Sequence, residues 1–157
     1  MTSAAPAQST NAYRSAGNGT WHTPGTWERF DGVDWVAAAT YPTAANSTAI
    51  TVRAPHGGTL TNDAGAIMMD DLTIEAGATL TSAAGCHGFN NGAATVDATI
   101  LGTYIVQSGC GGMGCCGAVE VGPGGLIALN GPAGSSAVFA VLTIQAGGSL
   151  TTGTFLR

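Results

Sequence analysis

The sequence contains no lysine, and its four arginines stand against nine acidic residues, for a formal net charge of −5. A nucleic-acid binder needs a basic face to neutralise phosphates, so that class is excluded. Charged residues make up only 8% of the chain. So neutral a surface suits a protein that packs against copies of itself better than one dispersed in a crowded cytosol. No run of 18 apolar residues occurs, so a membrane-spanning helix is not expected. The first 15 residues, Met1 to Ser15, are polar and Ala-rich and lack the apolar core of a signal peptide. Export, if it occurs, is then expected by another route or after processing. Amphipathic helical stretches are also missing: Ala37-Ala38-Ala39 is short and is stopped by Pro42.

What is abundant points to strands. Glycine accounts for 25 of 157 residues, apolar residues for 45%, and threonine and alanine are plentiful. Small and β-branched residues with frequent glycine fit short stacked strands joined by tight corners. The length fits one domain. The phrase Leu72-Thr73-Ile74-Glu75-Ala76-Gly77-Ala78-Thr79-Leu80-Thr81 returns 70 residues later as Leu142-Thr143-Ile144-Gln145-Ala146-Gly147-Gly148-Ser149-Leu150-Thr151, identical at seven of ten positions. Looser copies lie at Val119–Leu126, around Val96–Tyr104 and at Ile50–Val52. Self-similarity at 22–24 residues is the mark of a solenoid. We therefore expect an all-β parallel β-solenoid (β-helix) of about five turns. Leu72 and Ile74 should point inward and Thr73 and Glu75 outward, by the period of two. Gly77, Gly102, Gly124 and Gly147 should occupy the corners.

Three regions follow: an extended N-terminal arm (1–12), a Trp-rich capping region (13–48) and the solenoid repeats (49–157). Trp21, Trp27 and Trp35 all fall in the second, where large rings can close the first end of the stack. The chain stops soon after a repeat, so the second end is expected to be open.

The stretch Tyr13-Arg14-Ser15, Gly17-Asn18-Gly19-Thr20-Trp21, Thr26-Trp27-Glu28, Asp31-Gly32, Trp35 and Pro42, followed by Ile50-Thr51-Val52-Arg53 and His56, resembles an N-terminal module of large secreted bacterial β-solenoid surface proteins, frequent in Bacteroidota. The likeness covers roughly residues 13–81. It departs from the pattern at Gly57-Gly58 and lacks the C-terminal sorting domain typical of such chains. The resemblance implies a right-handed β-helix at the cell exterior and brings no active site with it.

Candidate chemistry is sparse. Cys86 and Cys110 are 24 residues apart, one repeat, so they would stack on adjacent turns within disulfide reach. Cys115 and Cys116 lie in a Gly-rich loop nearby. Disulfides are the expected use in an exported protein, with connectivity open. A metal cluster with His87 and free thiols are the alternatives. Asp70, Asp71 and Glu75 are the carboxylates that a polysaccharide lyase of this architecture would need, but the only basic residue of the repeats expected near them is Arg53. His22, His56 and His87 are scattered and suggest no triad. The tryptophans offer either an end cap or a sugar-stacking platform. Asn18-Gly19-Thr20 and Asn46-Ser47-Thr48 match glycosylation acceptors.

These features lead us to expect a non-catalytic structural protein, extracellular or at the cell surface, without cofactor or metal. It should assemble with itself, end to end and through its arm, into a filament or layer. A carbohydrate-binding or adhesive module, with glycans as partner, is the alternative, and a lyase-like enzyme the third reading.

Overall fold

A computed structural model describes residues 8–54, 59–62, 64–65, 67–69, 71–84, 87–89, 96–107, 117–130 and 140–152. Among these residues sixteen short strands and one 3-10 turn at Pro24–Thr26 make up the regular structure. In chain order they are β1 (Ala12–Ser15), β2 (Gly19–Thr20), β3 (Trp27–Phe30), β4 (Trp35–Ala37), β5 (Ala49–Val52), β6 (Thr59–Asn62), β7 (Ile67–Met69), β8 (Leu72–Ile74), β9 (Thr79–Ser82), β10 (His87–Phe89), β11 (Ala98–Ile100), β12 (Thr103–Val106), β13 (Ala118–Val121), β14 (Leu126–Leu129), β15 (Val141–Ile144) and β16 (Ser149–Thr152).

The expected parallel β-solenoid is present. One sheet runs β15-β13-β11-β8-β5-β1, every step parallel, and a second runs β16-β14-β12-β9-β6-β2 in the same way. A third side is formed by β7 and β10. Register is set by stacking like on like. In the first sheet one inward column reads Tyr13, Ile50, Leu72, Ala98, Val119, Leu142. In the second sheet a column reads Leu60, Leu80, Tyr104, Ile127, Leu150. A shift of one residue would turn each column inside out, so burial itself holds the register. Outward columns are rich in threonine, as in Thr51, Thr73 and Thr99, whose branched side chains pack well on a pleated surface.

The repeat length varies. Successive members of the first column, from Ile50 to Leu142, are 22, 26, 21 and 23 residues apart. The variation lies in the connections, because the two sheets keep a constant register. The corner between the sheets is four residues after β8, β13 and β15, and two after β11. In the four-residue corners, Ala78, Gly125 and Gly148 each donate their N–H to the carbonyl three residues back at about 2.9 Å. Gly77, Gly124 and Gly147 hold the third position of those turns with φ of 85°, 79° and 87°. That is the left-handed position that type II turns reserve for glycine. Gly102 in the two-residue corner serves differently. A β-carbon there would press on the carbonyl oxygens of Glu75 and Ala78 and on the Ile74 side chain.

The region expected to be only a cap has two parts. β1 and β2 are themselves the first rung, pairing in parallel with β5 and β6. β3 then adds antiparallel to β1, and β4 antiparallel to β3, so this hairpin covers the first edge of one sheet. Of the proposed arm, Thr10 to Ala12 lie on the chain's own body: Asn11 donates its N–H to Phe30 and the Thr48 hydroxyl donates to the Thr10 carbonyl.

The two kinds of glycine corner separate in stability. Gly124→Ala meets open space and should cost about 1 kcal/mol for the backbone conformation alone. Gly102→Ala should cost more, about 2–3 kcal/mol, because backbone atoms must move. Urea unfolding of the two variants beside the parent checks the order.

Candidate functional site

The interior below the hairpin is aromatic. Trp21 and Trp27 are fully buried, with ring centroids 4.7 Å apart in an edge-to-face arrangement. Each indole N–H has a partner: Trp27 donates to the Trp21 carbonyl at 2.8 Å and Trp21 to the Pro42 carbonyl at 3.0 Å. Burying the polar tip of a large ring requires such a partner. The Trp21 ring then meets His87 at 5.9 Å, His87 stacks on Tyr104 at 5.6 Å, and Tyr104 meets Phe89 edge-on at 6.2 Å. These side chains come from three different rungs and are brought together by the parallel register.

Two of the three tryptophans therefore present no face to a sugar. Trp35 is the one with exposed surface, and it lies under the Arg14 guanidinium, 4.2 Å from its ring centroid. Arg14 also pairs with Glu28 at 2.6 Å. The group thus fastens β1, β3 and β4 to one another. This is the arrangement of an end cap.

His87, named from the sequence as a partner for the cysteines in the alternative metal reading, belongs to this interior. Its Nδ1 lies 2.8 Å from the Tyr104 hydroxyl, and its Nε2 is buried without a hydrogen-bond partner. Burial first, and the nearby His22 second, lower its pKa to about 3. The same burial pushes the Tyr104 hydroxyl upward. Both groups are neutral across the physiological range. Both rings are fully buried. The pairing was in principle readable: Tyr104 falls in the inward column of Leu80 and Ile127, where a phenol needs an internal acceptor or donor.

The carboxylates are dispersed. Glu75 accepts a hydrogen bond from the Ala54 N–H at 3.2 Å and so links two rungs. Asp71 sits in a left-handed conformation (φ 46°) at the start of β8. Desolvation, and then Asp97 on the neighbouring rung, raise its pKa. Asp97 was not singled out by sequence, yet it is buried and accepts the Ala118 N–H. Arg53 lies at the end of the β5 rung, where its N–H meets the Ser15 hydroxyl at 2.8 Å. His22 packs edge-on against Tyr41 at 4.7 Å. The Asn46 amide is engaged within its own loop, donating to the Tyr41 carbonyl at 3.0 Å. Cys86, Cys110, Cys115, Cys116, His56 and Asp70 lie outside the described residues. Among the described residues no group of three metal-ligating side chains converges. No described helix is long and apolar enough to cross a membrane.

The ends of the stack carry the other distinctive surface. Leu72 and Ile74 are buried, whereas in the last rung the matching Ile144 is 44% exposed and Val141 is 56% exposed. At the opposite end Val33 is 81% and Val36 38% exposed. Of the five large apolar residues that are exposed among those described, four are these; the fifth is Met68, on the third side. Comparison with protein-family models, with curated proteins and with solved structures finds no match to the chain.

The buried His87 and the partly exposed Asp71 each carry an expected outcome. A histidine held neutral in the fold but free to protonate when unfolded gives stability that is complete above pH 6.5 and is lost as pH falls toward 3. At pH 4 the loss should be on the order of 3 kcal/mol. Denaturant titrations at pH 7 and pH 4 should show His87→Gln losing that much less than the parent over the same interval. Asp71→Asn keeps a residue that tolerates the left-handed conformation and removes repulsion from Asp97. It should raise stability slightly, since solvent screens most of that repulsion, read as a higher thermal midpoint.

Proposed function

We propose that the chain is a non-catalytic structural subunit of the cell exterior, stacking end to end into a filament or surface layer. The last rung is the observation that carries this reading. It pairs on one side alone among the described strands, presents Val141 and Ile144 to solvent, and has no charged residue from Val141 to Thr152. An uncharged, apolar, unpaired strand edge is a template for another strand. Lysine, inward charges and proline are the usual protections of an isolated edge, and β15 has none of them. Contact between unlike ends yields an open fibre when the rotation between copies does not close.

The exterior location rests on the low charge and on the resemblance of residues 13–81 to modules of secreted bacterial β-solenoid proteins. In a glycan-binding role the contact would fall to Trp35 and the threonine columns, since Trp21 and Trp27 are enclosed.

Electron microscopy and light scattering of the purified 157-residue chain over a concentration series test the proposal. Rods that lengthen with concentration are expected. Particles that stay one subunit long at all concentrations overturn it.

A further inference from the structure

We propose that the joint between two copies is a parallel ladder formed by β15 of one subunit and β4 of the next. This deepens the end-to-end reading above and rests on it.

Strand polarity is the first argument. β1 runs parallel to every later strand of its sheet, from β5 to β15. β3 is antiparallel to β1, and β4 is antiparallel to β3. Two reversals restore the original direction. The sheet therefore ends in β4 at one side and β15 at the other, and both point the same way. A second copy displaced along the stacking axis sets its β4 beside β15 in the polarity that the rest of the sheet already uses. A cap of one reversed strand would have left edges of opposite sense.

The side chains are the second argument. Val36 lies on β4 and Val33 just before it, while Val141 and Ile144 lie on β15. Four of the five large apolar residues exposed among those described thus lie on these two edge strands or, for Val33, in the turn before β4. The charge pattern of the strands agrees: neither Trp35-Val36-Ala37 nor Val141-Leu142-Thr143-Ile144 carries a charge, so the ladder itself contains no charged side chain, and Asp34 flanks it. The occupant of each edge is a second copy because one chain carries both halves, each a strand paired on one side only among the described strands and each with exposed apolar side chains.

Edge charges test the joint. Val36→Lys and Val141→Asp each place a charge on an exposed position of one edge. Alone, each should raise the concentration needed for assembly about tenfold or more, the factor that 1.4 kcal/mol of lost contact produces. Mixed in equal amounts, the two should assemble again. The Lys edge meets the Asp edge at one joint and the parent edges meet at the other. Circular dichroism and thermal melts of each variant verify folding, and Ala37→Lys, at a second exposed position on β4, replaces Val36→Lys if that variant is unfolded. Assembly of a single variant at the parent concentration, or failure of the mixture to recover, overturns the joint. If the parent chain itself remains single at every concentration, the end-to-end reading falls and the joint with it.

Discussion

Parallel pairing of backbone between successive rungs is the constraint on which the rest depends. It fixes each residue above its counterpart in the rung below, so one choice of side chain is multiplied into a column. Inward columns of Leu, Ile and Val make a core without any long-range coincidence of sequence. Outward columns of threonine follow from the same rule. Each added rung is bonded mainly to its neighbours, as expected of a quasi-one-dimensional fold.

The constraint also explains where this molecule departs from regularity. The sheets tolerate no slip, so differences in repeat length are pushed into the corners and the returning third side. Gly102 marks the tightest case, where the chain turns in two residues beside the carbonyls of the preceding corner. The aromatic interior is a second departure. Trp21, His87, Tyr104 and Phe89 meet across three rungs, and the cost is one imidazole nitrogen buried without a partner.

Much of this was legible in the sequence because the phrase around Leu72 is repeated almost unchanged around Leu142. Period, inward and outward faces, and the corner glycines all follow from that pair. The first rung was not legible as a rung. Tyr13 and Ile50 are stacked, yet 37 residues separate them, and the intervening hairpin breaks the period. For the same reason the sequence left Trp21 and Trp27 open between a cap and a sugar platform; both are enclosed beneath the hairpin. The His87–Tyr104 pair was missed because the two residues meet only once the third side is folded against the second sheet. The matching phrases also differ in a way that sequence does not show. Among the described strands, Leu72 and Ile74 have a rung on both sides, and Leu142 and Ile144 a rung on one.

The variable third side has an evolutionary consequence. Segments returning from the second sheet to the first span 9 residues after β6, 15 after β9 and 11 after both β12 and β14, without disturbing either ladder. Lineages can therefore lengthen or rewrite these returns while the scaffold stays intact. A foreign loop grafted into one of them would be displayed at a fixed height on a rigid post, and the spacing of several such loops would be dictated by the rise per rung, about 4.8 Å.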